Sequence, residues 1–233
     1  MHCLSTNCLY YAAYIILNKM AVELGDKKNR DYEEKALKLK EAINKHFWME
    51  DKGYYRYIVD DFGNCDHQEG MGQSFVVLFD IADKEKKKRL MENQYITEVG
   101  IPCVWPHIEG FWGDAAIKNN REDLFLKEFE SLTKYSVRDA HFYEIYHPET
   151  GLPYGGIQEA YDHDELIMWN SQKKQTWSAT AYLRLVIRGI MGMKFLPEGI
   201  KFSPNLPESI NEISVKNLIY KDMNLDISIF TIH

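Results

Sequence analysis

The sequence predicts a mainly α fold in which helical hairpins are wound into two concentric layers, followed by a short antiparallel β segment at the C-terminal end. Three observations carry this reading. Apolar helical stretches alternate with charged ones, the pattern of inner helices each followed by a solvated outer helix. The alternation returns at a structural period of roughly 40 residues, without a matching repeat of sequence. Beyond Gly192 the helical period gives way to two-residue alternation, which belongs to strands.

Taken in order, Ser5, Thr6 and Asn7 offer capping oxygens to a first helix that runs to Leu24, and Gly25 stands where a left-handed terminal residue is wanted. Apolar residues go nearly all round this helix, which predicts deep burial. Asp31 is placed to cap a second helix over 32–48. There Ala36, Leu37, Leu39, Ile43 and Phe47 make one apolar stripe and lysines take the other face, so this helix is an outer one. The two form an αα-hairpin. Gly53 and Gly63 bracket a β-rich run over 54–59. Asp66 and Glu69 have capping-box spacing ahead of an apolar helix over 68–82, and Asp83 caps a charged helix over 84–93.

A loop over 94–105 leads to Pro106, which suits the first position of an apolar helix over 106–119. Asn120 is placed to cap the next solvated helix, 121–135. A last inner helix covers 175–193, giving about seven helices in three and a half hairpins. The runs GIKFSP, EISVKNLIY and NLDISIF then read as short antiparallel strands. The division expected is a helical part over 1–194 and a β cap over 195–233.

Bulk properties narrow the function classes. Among 233 residues the net charge is −7 and the basic residues are scattered or lie on helix faces such as KEKKKR at 84–89, so no clustered basic footprint for nucleic acid is present. The apolar run LYYAAYIIL at 9–17 is far shorter than the roughly 20 residues that span a bilayer and has no basic flank, so a core helix is expected and no membrane partner. The composition is that of a soluble protein, and the sequence does not choose between cytoplasmic and exported locations. Cys3, Cys8, Cys65 and Cys103 form no CxxC pair and have no His at ligand spacing. They read as free buried thiols, with neither metal nor cofactor implied. Aromatics reach 13%, enough to furnish a ring-stacking cleft as well as a core.

The chemistry-bearing residues gather in one stretch. HFYEIYHPETGLPYGG at 141–156 feeds, through a linker of mixed polarity, into QTWSATAYLRLVIRGIMGM at 175–193. Glu144, between Tyr143 and Tyr146, is a loop carboxylate suited to general base work, or else an exposed Glu or a partner of Arg138. Trp105, Trp112, Trp169 and Trp177 are candidate stacking platforms, Trp177 foremost. Gln158 and Gln175 can pair with hydroxyls through their amides. Tyr154 with Gly155 and Gly156 forms a loop where backbone can approach a ligand. His141 and His147 flank Glu144 as hydrogen-bonding neighbours. For a general acid the candidates are Glu69 at a loop-to-helix junction, Glu109 in a first helical turn, and Asp60 and Asp61 on a loop that could reach a cleft; against these stand a capping role for Glu69, the helix dipole for Glu109 and turn formation for the two Asp residues.

The ordered set STN plus apolar helix, QEGMGQSF, IPCVWP, FYEIYHPETGLP, QTWSATAYLRLV, GMKF and FSPNLP resembles the C-terminal half of six-hairpin, (α/α)6-toroid glycoside hydrolases. The nearest likeness is to relatives of trehalase, processing α-glucosidase, mannosylglycerate hydrolase and amylo-α-1,6-glucosidase, over almost the whole chain. The resemblance implies an inverting hydrolase of α-glycosides with Glu144 as general base; with the residue chemistry read above, Trp177, Gln175, Tyr154, Gln158, Trp105, Trp169 and His141 are then expected about an oligosaccharide or glycoside. Such toroids have twelve helices, so an incomplete toroid is expected, with the general acid upstream of this chain. The bare inner helices of such a ring call for a complementary N-terminal half or a second copy. A non-catalytic carbohydrate-binding or assembly module is the alternative.

Overall fold

The computed structural model describes residues 2–94, 105–159, 166–208 and 210–231, with only the backbone at 157–159. Among the described residues are seven α-helices: α1 (Leu4–Leu24), α2 (Asn29–His46), α3 (Gly70–Leu78), α4 (Lys84–Asn93), α5 (Pro106–Lys118), α6 (Glu122–Asp139) and α7 (Thr176–Arg184). Helices α1, α3, α5 and α7 pack side by side in that order as an inner layer, with α2 against α1 and α6 against α5. This is a partial (α/α) toroid: three helical hairpins and a seventh, inner helix.

Five two-stranded antiparallel sheets decorate it. They are β1 (His2–Cys3) with β4 (Ile58–Val59), β2 (Trp48–Met49) with β3 (Tyr54–Tyr55), β5 (Gly156–Glu159) with β6 (Leu166–Trp169), β7 (Met193–Leu196) with β8 (Gly199–Phe202), and β9 (Glu212–Tyr220) with β10 (Met223–Phe230). The first two pairs sit beside the opening hairpin, where Leu4 N–H donates to Tyr57 O at 2.9 Å.

One core cluster joins Leu4, Cys8, Ile43, Phe75, Val76, Leu90 and Trp112. A second joins Phe125, Leu132, Tyr135, Tyr146 and Leu185. Between them α5 approaches α7 closely because Gly110 has no side chain: a Cβ there would lie 2.6 Å from the Ala181 Cβ. Cys3, Cys8 and Cys65 are free thiols, and Cys103 lies outside the described residues.

Several expectations need correction. Helix α1 buries only Leu4, Cys8, Tyr11 and Ala21, while Leu9, Ile16, Met20 and Leu24 are exposed. All-round apolarity leads to burial only where neighbours stand on both flanks, and α1 is at the edge of the inner layer, where α2 and α3 are its main helical neighbours. Leu37 likewise faces solvent from α2. That helix starts at Asn29 after Lys28, so Asp31 lies in its first turn and is not its cap. Glu69, not Asp66, caps α3, and Asp66 pairs with Arg56 and Lys52. Asn120 adopts a positive φ of 57° before α6, whose N-cap is Arg121. The linker after 156 carries the β5–β6 pair. Helix α7 widens into π-type turns over Leu185–Ile190 and stops at Gly192, whose φ of 60° suits glycine.

Candidate functional site

The inner helices run parallel, because each is reached through an outer helix that returns the chain to the same end. Three contacts fix this. Gly72 in the first turn of α3 abuts Leu4 at the start of α1. Phe75 on α3 meets Phe111 on α5 edge to face, with centroids 5.0 Å apart. His107 and Trp177, in the first turns of α5 and α7, stack at 5.2 Å. Four helix N-termini therefore open at one end of the ring, where backbone N–H groups and the positive ends of the helix dipoles gather.

The loop following α6 lies over this end. Ala140, at φ 55°, turns the chain out of α6. Glu144 N–H donates to Gln172 O at 2.8 Å, Ile145 N–H to Ser171 Oγ at 2.8 Å, and Gln175 N–H to Phe142 O at 3.0 Å, so the segment is pinned to the residues that enter α7. Tyr146 anchors it from below: its hydroxyl accepts from Tyr143 N–H at 2.9 Å and its ring stacks on Tyr135 at 4.0 Å. Glu144 is half-buried, and among the described residues its carboxylate takes part in no hydrogen bond or ion pair. Arg138 does not hold it, because that guanidinium forks onto Asp139 and also donates to Gly151 O.

The other expected residues are placed as follows. Trp177 is 48% exposed, and Trp105 lies 5.3 Å from His107 at a tilt of 46°, so three rings gather about His107 at the mouth. Burial holds the His107 imidazole below its usual range, which favours the neutral ring in that group. His141 is half-buried, with Nδ1 lacking a hydrogen-bond partner among the described residues, and sits 4.6 Å from the Tyr143 ring. Gln175 is the residue before α7 and is half-buried. Tyr154 is exposed, meets His147 edge-on at 5.2 Å, and is tied to the same loop by Tyr154 N–H donating to Ile145 O. Trp169 ends β6 with its indole over Gly156. Gln158 contributes its backbone to β5, and its side chain lies outside the described residues.

Trp112 is a correction: it is fully buried in the core and offers no platform, because its face of α5 turns away from the ring interior. The other carboxylates divide. Glu69 accepts from Met71 N–H at 2.9 Å and Gly72 N–H at 2.6 Å; burial raises its pKa, and those two donors partly offset the rise. Asp60 closes a turn by accepting from Phe62 N–H. Glu109 is fully buried against Glu128 of α6, and among the described residues both its oxygens lack hydrogen-bond partners. Burial, and then the neighbouring Glu128, push its pKa well up.

The residue the sequence reading passed over is His107. Its signal was a His between Trp105 and the first turn of a proline-started helix, yet its stacking partner is about 70 residues away, and only the parallel inner layer joins them. Among the described residues no group of three or more His, Cys, Asp or Glu is placed to hold a metal ion, and no helix is long and apolar enough to cross a membrane.

Residues 2–101 match the family model of the bacterial alpha-L-rhamnosidase 6 hairpin glycosidase domain. Among solved structures, one titled "Sialidase" superposes with a TM-score of 0.75 at 15% identity, over 97% of this chain and 23% of its own. An uncharacterized conserved protein from Thermus thermophilus superposes with a TM-score of 0.58 at 14% identity, over 78% of this chain and 45% of its own. The chain thus spans less than half the length of either, and at these identities the likeness is one of fold. None of the curated proteins matches.

Proposed function

We propose that this chain is the base-bearing part of a glycoside hydrolase that acts on an α-glycoside with inversion, and that Glu144 is its general base. The observation that carries the reading is the state of Glu144. Its backbone is pinned to the residues that enter α7, the helix whose first turn carries Trp177, while its carboxylate is outside any ion pair among the described residues. A carboxylate so placed can take a proton from water as that water attacks a sugar carbon, and the rings of the mouth suit the apolar face of a sugar. Trp177, Trp105, Trp169, Tyr154, Gln175, Gln158 and His141 surround the sugar in this reading.

Inversion needs a second carboxyl group roughly 6.5–9.5 Å from the base, on the other face of the sugar. By the resemblance of the sequence, that acid is an Asp on a loop of hairpins outside this chain. The same hairpins, or a second copy, would cover the apolar edge of α1. Residues 195–233 act as a cap on the catalytic part. The test is calorimetric titration with a panel of α-linked oligosaccharides, alongside a reducing-sugar assay with the complementary hairpins supplied. Saturable binding with release of sugar is expected. No binding by any member of the panel would overturn the reading.

One observation favours the second reading, a carbohydrate-binding or assembly module without turnover: the Glu69 carboxylate at the same end is committed to capping α3. In that case the titration shows binding, and sugar release stays absent when the complementary hairpins are present.

A further inference from the structure

Below the mouth, the faces of α5 and α7 turned away from the outer helices meet in a column. His107, Phe111 and Asp114 follow one another at helical spacing on α5, and Trp177, Arg184 and Arg188 do so on α7 and its extension. Trp177 stacks on His107 at the top. Beneath them the Arg184 guanidinium lies 4.2 Å over the Phe111 ring. Its Nε is 2.9 Å from Asp114 Oδ2, and Arg188 Nη1 approaches the same oxygen at 4.0 Å. Two cations thus share one carboxylate, which leaves the cluster with net positive charge.

Arg184 is incompletely satisfied. Its side chain is 23% exposed, and its Nε and Nη2 are buried without an aligned hydrogen-bond acceptor among the described residues, the ion pair with Asp114 being out of line. A buried guanidinium with an idle donor edge is costly unless something accepts from it. Helical side chains lean toward the N-terminus of their helix, so Arg184 points up the column toward the rings and not away from the mouth. The planar fork matches a carboxylate better than a neutral hydroxyl.

We infer that Arg184, backed by Phe111 and Asp114 and assisted by Arg188, is a subsite for the carboxylate of an acidic sugar, so that the cleft favours a uronic acid residue over its neutral counterpart. This rests on the reading of the mouth as a sugar cleft and narrows its substrate class. Asp114 holds the guanidinium by one oxygen and Phe111 supports its face, so its orientation is fixed before a ligand arrives.

The test compares methyl α-D-glucopyranoside with methyl α-D-glucopyranosiduronic acid by calorimetry or saturation-transfer NMR at neutral pH. The acidic glycoside is expected to bind roughly 10-fold or more tightly, the yield of a charge-assisted hydrogen bond pair. Arg184→Met should erase the preference while leaving the neutral glycoside bound as before. Arg184→Lys keeps the charge and guards against a folding defect in the first variant; it should cut the ratio severalfold, because an ammonium cannot fork. Equal affinity for the two glycosides, or an unchanged ratio in both variants, overturns the subsite and leaves the sugar cleft standing. Failure of both glycosides and of the oligosaccharide panel overturns cleft and subsite together.

Discussion

Trp177 stacks on His107 at 5.2 Å, and this contact joins the first turns of two inner helices about 70 residues apart in sequence. It closes one side of the mouth while leaving nearly half of the indole exposed. Trp177→Ala should therefore weaken binding of α-linked oligosaccharides by about 5- to 10-fold, the worth of one aromatic contact, with stability changed by about 1 kcal/mol or less. Titration of the variant, paired with its thermal melt, separates the two effects.

Glu109 sets a pH dependence of stability. Its folded-state pKa is raised by burial and by Glu128, so the unfolded chain gives up this proton at lower pH than the folded one does. Folding then loses stability as pH rises from the ordinary carboxyl range toward the raised folded value, and keeps it below that range. Glu109→Gln retains the shape without the charge. It should flatten the decline in Tm above the ordinary carboxyl range and raise Tm at the alkaline end, with little change at the acidic end. A decline as steep as that of the wild type would remove Glu109 as its source.

Gly110 tests the close approach of α5 to α7. Alanine at an ordinary helix interior position is more favourable than glycine by about 1 kcal/mol. Here its Cβ would meet the Ala181 Cβ at 2.6 Å and the Ala181 Cα at 3.2 Å, and the sign should reverse. Gly110→Ala is expected to destabilise by about 1–3 kcal/mol, read as a lower denaturant midpoint with the slope unchanged.

The bare stripe of α1 offers a contrasting case. Ile16 and Met20 are exposed, so Ile16→Glu with Met20→Glu should leave the stability of this chain within about 0.5 kcal/mol of the wild type. The same pair should abolish association with the complementary hairpins, seen as loss of their co-elution.

The layered fold was legible because apolar and charged helices alternate in a way that survives local error. Gly25, Asp83 and Pro106 marked their helix ends correctly, since each acts through its own backbone or its nearest N–H. The burial of α1 was misjudged because it depends on which neighbours exist, and nothing within the helix records that. Glu69 displaced Asp66 as a cap because α3 begins two residues later than its apolar run. At the site, the loop bearing Glu144 could be read from its aromatics and glycines. The column of His107, Phe111, Asp114 and Arg184 could not, because its members come from two helices that only the parallel inner layer brings face to face.

The most direct test of the role proposed for Glu144 is the turnover of Glu144→Gln when the proposed complementary hairpins are supplied. With the amide in place the group can still hydrogen-bond a water but cannot accept its proton. The expected result is a fall in kcat of about 10²–10⁴-fold with KM little changed. Turnover equal to that of the wild type would contradict the assignment.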